Sequence, residues 1–502
     1  MHLTVKNLTN DPITAHTYPT PHKLNLLQRK KGVAQSADGF TLEPSVDFST
    51  TLPKGFRREI ILRRTYQPDA AEPATTPGLE KKELLEKEWH IHPEGFKIRF
   101  SMTFSASWQV VPVPAECPWR VFTSRISRGH HKLVILSRRN LASFLSELPN
   151  RLPLSSLSLP GTHDTMAFYG WPVSQCQTVP LSSQLNGGIR VLDVRLAVIP
   201  PPSSKEAPLT KDQQLIAYHG LWPQQTPFLA ILNDVHTFLT SPIGCMETII
   251  MSIKQEDFAV TPAPLFSQLV RETIVQGPGG WDDSQPSDSG VNRGMWFLEN
   301  RIPTLGEVRG KVVMLSRFGG NGAGWEGGLE GLGIHPTTWP DSDQEGFEWE
   351  LKGTRVRTHD WYNIPSFFKI PEKVERASDN LIPPADSPGP VLLMTFFSAA
   401  SFPLALPPTV AKGFGWPKWG FGIEGVNSRL GKWLLDQLGG DTQQVVRIDL
   451  EKGKDAGSAE QKEPRIRGWT FLDYYSEPEG GEIVPLLVEC NFRGRKEGEE
   501  GW

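Results

Sequence analysis

Six polar residues recur at one kind of place in this sequence. His163, Arg195, His219, Lys254, Arg317 and Asp473 each end a short apolar run or lie just past one. Two imidazoles that titrate near neutrality can take and give a proton in one reaction. Three cations can hold an anion, and a guanidinium does so through paired hydrogen bonds. With several carboxylates in the same stretches, the set points to acid–base work on a substrate bearing an anion, such as a phosphate. Cleaving a phosphodiester by an internal hydroxyl needs a base for that hydroxyl, an acid for the departing alkoxide, and positive charge on the phosphoryl oxygens. Two carboxylate-steadied imidazoles and one guanidinium would supply all three. Singly, each residue also has a plain reading as a solvated or satisfied side chain; their number and complementary types carry the inference.

The runs themselves say what must position these groups. SLSLPG (156–161), GIRVLDVRL (188–196), LIAYH (215–219), ETIIMSIK (247–254), KVVMLSR (311–317), VLLMTFFS (391–398) and GWTFLDYY (468–475) alternate with longer, partly helical stretches, and a weaker eighth run spans Thr354–Asp360. Apolar strands separated by crossovers predict a parallel sheet buried on both faces. About eight of them predict an α/β fold, a distorted (β/α)8 TIM barrel over 140–502, whose strand C-termini would meet on one rim. Asn140 is the expected cap of a short helix with Leu141, Phe144, Leu145 and Leu148 on one face.

Residues 1–139 follow a different grammar. From Phe96 to Trp108 apolar and polar residues alternate, which predicts one long strand with a wet face. Shorter candidates at Leu3–Lys6, Glu59–Arg63 and Arg120–Thr123 add to a β-sandwich-like accessory domain. Between them, residues 67–78 read as a loop and 79–89 as a charged helix. His90 and His92 have the spacing of two metal ligands on a strand face, but with no third ligand nearby they read as surface histidines.

Composition narrows the class. With 502 residues, 38% hydrophobic and 22% charged, the chain is a globular protein of two expected domains. A net charge of −4 argues against a nucleic-acid grip, and four cysteines without a CxxC pair argue against a disulfide scaffold or thiolate zinc site. The start of the chain lacks the pattern of a secretory leader, and the uncharged stretch 387–411 is interrupted by prolines, so the expectation is an intracellular, cytoplasmic protein touching membranes only peripherally. Trp222, Trp325, Trp339, Trp361, Trp416 and Trp419 fall in predicted loops, where they could either pack or insert at a bilayer surface. Gly-, Asp- and Ser-rich inserts (277–291 and 319–345) read as loops rather than linkers, the one after Arg317 as disordered rather than a lid.

SLPGTHDT (158–165), GIRVLDVRL, YHG (218–220) and ETIIMSIKQE (247–256), in this order, resemble the X region of phosphatidylinositol-specific phospholipases C. NRIPTLGEVRGKVVMLSRF (300–318) and GWTFLDYY resemble the bacterial-type members. The resemblance implies a phosphodiesterase that converts phosphatidylinositol at a membrane surface to diacylglycerol and inositol 1,2-cyclic phosphate. It implies His163 as general base, oriented by Asp473, and His219 as general acid, held by Asp164. Arg195 would bind the phosphate, with Asp193 beside it. Lys254, Arg317 and Asp360 would hydrogen-bond the inositol hydroxyls, and Tyr362 would stack on the ring. Mammalian-type members place calcium where bacterial-type members have an arginine; Arg195 offers no lone pair to a metal, so the resemblance implies metal-independent catalysis without a cofactor. The loop at 200–214 departs from the bacterial pattern. Other readings left open are a different phosphodiester substrate and a non-catalytic lipid- or inositol-binding module.

Overall fold

The computed structural model describes residues 2–17, 39–51, 59–64, 95–99, 106–204, 210, 212–280, 294–319, 332–384, 390–417, 421–440, 463–477, 482–498 and 500. His90, His92, Trp325, Trp419, the expected helix at 79–89, and residues 281–291 and 320–331 of the two Gly-rich inserts lie outside them. The chain divides into two compact units, one within residues 1–138 and one from Arg139 onward.

In the first unit, strands β1 (His2–Asn7), β4 (Asp47–Thr51), β7 (Trp108–Val111), β8 (Trp119–Ser127) and β9 (His130–Ser137) form one sheet in the order β4-β1-β9-β8-β7. Strands β2 (Ile13–Thr17), β3 (Gly39–Leu42), β5 (Glu59–Arg64) and β6 (Phe96–Arg99) form a second, in the order β3-β2-β5-β6. Alternate residues of both sheets (Leu3 and Val5, Ile13 and Ala15, Ile60 and Leu62, Phe96 and Ile98, Leu133 and Ile135) share one apolar core, as the period of two requires. The single long strand expected from Phe96 to Trp108 is instead two: Phe96–Arg99 pairs with β5 and Trp108–Val111 with β8, in different sheets. Alternation marks a face of a sheet but not which sheet.

The second unit is α/β with mixed sheets. Its strands are β10 (Ser158–Leu159), β11 (Gly161–Thr162), β12 (Val191–Ile199), β13 (Gln214–His219), β14 (Trp222–Pro227), β15 (Thr248–Gln255), β16 (Trp296–Phe297), β17 (Lys311–Arg317), β18 (Phe347–Leu351), β19 (Thr354–His359), β20 (Val391–Phe396), β21 (Gly413–Trp416), β22 (Phe421–Glu424) and β23 (Gly468–Phe471). One sheet runs β10-β23-β20-β19-β18 and another β14-β13-β12-β15-β17-β16, with β11 beside β12. A parallel bridge between Thr162 and Leu472 links the two. Helices Phe228–Thr240, Ala263–Gln276, Ile370–Asp379 and Val426–Gly439 lie between the strands in sequence, and β12, β15 and β17, like β19, β20 and β23, run parallel as crossovers dictate. Asn140 caps the expected short helix through its side chain, which accepts from the Ala142 amide, but the helix is 3-10 rather than α.

LIAYH is not a parallel strand. It runs antiparallel to Leu196–Ile199 of β12 and turns into β14 as a hairpin. Because it pairs only with the upper part of β12, its last residue, His219, descends to the level of Arg195. Gly161, in PGTHD, lies where two strands close in: a Cβ there would stand 2.3 Å from the Thr470 carbonyl oxygen and 2.6 Å from Val191 Cβ. No side chain fits. Among the described residues no helix is long and apolar enough to cross a membrane; the stretch 387–411 holds the strand β20 instead.

Candidate active site

Register builds the site. Arg195, Lys254 and Arg317 are direct partners on the adjacent parallel strands β12, β15 and β17. In-register parallel residues face the same side, so three cations stand in one row. Asp193, two residues before Arg195, shares that face. His163 and Asp473 each follow one of the two residues joined in the Thr162–Leu472 bridge, which brings loops 310 positions apart into contact.

His163 Nδ1 lies 2.7 Å from Asp473 Oδ1, and its Nε2 lies 2.7 Å from Arg195 Nη2. A guanidinium only donates. Nε2 therefore accepts, Nδ1 carries the proton, and Asp473 receives it: the tautomer of a base whose lone pair faces the Arg195 guanidinium. The buried Gln177 amide ties both loops together by donating to the His163 and Leu472 carbonyl oxygens at 2.6 and 2.8 Å.

Asp193 accepts from Arg195 Nε at 3.0 Å, from the Asp164 amide at 3.1 Å and from Arg317 Nη1 at 3.3 Å. Burial opposes its charge, but Arg195, Arg317 and His163 outweigh burial and hold it far below the usual carboxylate range. Glu256 receives Lys254 Nζ at 2.8 Å and Arg195 Nη1 at 3.5 Å. Burial pulls the Lys254 ammonium down, and Arg195 adds to it.

His219 is the second imidazole. Its ring stands edge-on to that of His163, with centroids 6.3 Å apart. Its Nδ1 donates to the Ser174 carbonyl at 2.8 Å and lies 3.2 Å from Asp164 Oδ2. Both carboxylate oxygens of Asp164 are buried without a hydrogen bond, and burial pushes this carboxyl well above its ordinary range, with Asp193 and Glu256 adding. Burial, Arg195 and His163 together lower His219 to about 3. Asp164 and Tyr474, which follow His163 and Asp473 directly, both have positive φ, 24° and 46°; such backbone is held only where the surroundings over-determine it.

Arg317 stacks over Trp339, 3.9 Å from its centroid, and Trp339 Nε1 donates to Asp360 Oδ2 at 3.0 Å. The Tyr362 ring lies 6.5 Å from that of His163. All ten side chains singled out in the sequence thus converge on one region. Trp339 and Trp361 belong to its walls and underpinnings rather than to a surface loop: Trp361 is buried and its carbonyl accepts from the buried Lys373. Trp222 and Trp416 are exposed.

Sequence reasoning missed Glu256, Trp339, Gln177 and Cys176. Glu256 was within reach, since it lies two residues after Lys254 and so on the same strand face. Cys176 and Gln177 had no periodic signal; the Cys176 thiol sits 3.7 Å from His219 Nδ1.

The curated 1-phosphatidylinositol phosphodiesterase of Listeria monocytogenes is 32% identical over 180 residues, 34% of this chain and 48% of that protein. Over that stretch the chain is similar to bacterial 1-phosphatidylinositol phosphodiesterases. The Staphylococcus aureus (strain Newman) 1-phosphatidylinositol phosphodiesterase is 26% identical over 187 residues, 36% of this chain and 51% of that protein. The chain thus spans about half the length of these curated phospholipase relatives. A double mutant of the S. aureus phosphatidylinositol-specific phospholipase C is a similar solved structure, at TM-score 0.47 and 18% identity, covering 70% of this chain and 97% of that one. No protein-family model matches.

Proposed function

We propose that this chain is a phosphatidylinositol-specific phospholipase C-type phosphodiesterase, with a distorted (β/α)8 barrel at 140–502 and a β-sandwich-like accessory domain at 1–139. The observation that carries the reading is the pair of imidazoles facing each other edge-on, 6.3 Å apart between centroids, with Arg195 in contact with one of them. In this reading His163 Nε2 takes the proton of the inositol 2-hydroxyl. The oxygen attacks phosphorus, the bond to the glycerol oxygen breaks, and His219 returns a proton to that alkoxide. The products are diacylglycerol and inositol 1,2-cyclic phosphate.

Arg195 serves two states. Without substrate its guanidinium rests on His163 Nε2; with substrate it turns its donors to the phosphoryl oxygens and frees the base. The bound anion also changes His219. Burial and the Arg195 charge keep this imidazole neutral, and a phosphodiester beside Arg195 cancels that charge and restores the proton that the alkoxide needs. Asp473 fixes the tautomer of His163, and Asp164 stands ready for the imidazolium. Lys254, Arg317 and Asp360 would bind the inositol hydroxyls, Tyr362 would cover the ring, and Asp193 anchors both arginines. Because Arg195 supplies the positive charge at phosphorus, the mechanism needs no metal.

Contact with lipid would be peripheral. Phe368, Phe402, Trp416 and Phe421 are each more than two-thirds exposed, at 73%, 78%, 71% and 73%, and the Phe367 ring packs tilted against Phe368 and edge-on against Phe414. An apolar patch of this kind suits a bilayer surface. The decisive assay incubates the full chain with labelled phosphatidylinositol vesicles and EDTA. Inositol 1,2-cyclic phosphate should form at an undiminished rate. A strict calcium requirement would overturn the role of Arg195, and turnover of a different phosphodiester alone would change the substrate.

A further inference from the structure

The mechanism above leaves one reactive group of the site unused. Cys176 is wholly buried, yet its neighbours are ligating atoms rather than hydrocarbon alone. Its Sγ, a ring nitrogen of His163 and a carboxylate oxygen of Asp473 all lie within 4.8 Å of one another. A second feature lies beside it: the fully buried Asp164 carboxylate has no hydrogen bond on either oxygen and stands 3.2 Å from His219 Nδ1, the atom 3.7 Å from Sγ.

One thiolate, one imidazole and one carboxylate make a borderline-soft donor set. It suits zinc or cadmium, whereas magnesium and calcium prefer oxygen throughout. A tetrahedral zinc with bonds of about 2.0–2.3 Å spaces its ligand atoms by roughly 3.3–3.7 Å. The widest separation in the trio therefore needs to close by no more than about 1–1.5 Å, and the His163–Asp473 contact, at 2.7 Å, to open by less.

We infer that His163, Cys176 and Asp473 form a binding site for a soft divalent cation, zinc or cadmium, whose occupation switches the active site off. Binding makes metal–sulfur, metal–nitrogen and metal–oxygen bonds and releases the thiol proton to solvent. It also takes the carboxylate that orients the base and a nitrogen of the base itself. Inhibition rests on the phospholipase reading; binding does not.

The test uses the full chain and cadmium without substrate, following the thiolate-to-cadmium charge-transfer absorption. One equivalent should bind. The band should persist in Cys245→Ser, which removes the exposed thiol, vanish in Cys176→Ser, and need at least about tenfold more cadmium in His163→Ala, a loss of about 1.4 kcal/mol. Cys176→Ala repeats the comparison should serine unfold the buried position, with circular dichroism reporting the fold. An undiminished band in a folded Cys176 variant, or none in the wild type, overturns the site. In the vesicle assay cadmium should stop the wild type and spare Cys176→Ser. A protein that binds cadmium through Cys176 but never cleaves phosphatidylinositol keeps the site and overturns the activity instead.

Discussion

Two buried charge clusters share the strands β12 and β15, one at each end, and they are built on opposite terms. At the foot, Arg190 and Glu247 immediately precede the two strands. Arg190 donates from Nε to Glu247 at 2.8 Å and from its terminal nitrogens to the carbonyls of Leu185, Ile189 and Ala142 at 2.8 Å each. Glu247 accepts the Ser146 and Leu145 amides as well. Every donor has an acceptor. At the other end, five residues along β12 from Arg190, Arg195 spends a donor on an imidazole; beside it neither carboxylate oxygen of Asp164 has a hydrogen bond, and burial holds His219 far below its ordinary pKa. The lower cluster is complete without a ligand. The upper one is not, and its incompleteness, more than its charge, marks it as the functional end.

The sharpest way to break this contrast is to truncate each end. At the upper end, His163→Ala and His219→Ala should each lower turnover by roughly 10²–10⁴-fold, with the thermal midpoint close to wild type. Wild-type turnover in either variant would remove the two-histidine mechanism. At the lower end the outcome should invert. Glu247→Gln leaves the Arg190 guanidinium buried without its counter-charge, which costs about 3–5 kcal/mol. Denaturant unfolding should show that loss, while the rate per folded molecule stays near wild type. A Glu247→Gln protein that is stable but slow would mean that the foot of the sheet also serves the chemistry.

How much of this the sequence could tell depended on the range of the interaction. The row Arg195, Lys254 and Arg317 was readable, because each ends an apolar run and parallel register does the rest. His163 and Asp473 were found as separate motifs, and nothing local says that one imidazole meets that one carboxylate. The antiparallel course of LIAYH was hidden because an apolar run carries no direction. The split between Phe96–Arg99 and Trp108–Val111 was hidden for a related reason, since alternation is the same in either sheet. Trp339 lies in a Gly-rich insert that reads as disorder, and only tertiary contact reveals it under Arg317. Cys176 has no pattern at all; its meaning comes wholly from what surrounds it.

The smallest expected effect sharpens the contrast by pH. Burial, then Arg195 and His163, lower His219 to about 3 in the folded chain, against about 6.5 when unfolded. Above pH 6.5 both states hold the ring neutral and folding is not penalised. As pH falls below 6.5, the unfolded chain takes a proton that the folded chain refuses until about 3, so stability declines across that window. From pH 6.5 to 5 the loss from this one ring approaches about 2 kcal/mol. His359, also lowered to about 3 by burial and Lys373, adds a similar loss away from the two-histidine pair. His219→Gln removes only the first contribution. Its denaturation midpoint should therefore fall less than the wild-type midpoint between pH 7.5 and 5, with the His359 contribution still present. An identical fall in both proteins would show that His219 is not held neutral, and the upper cluster would then be as settled as the lower.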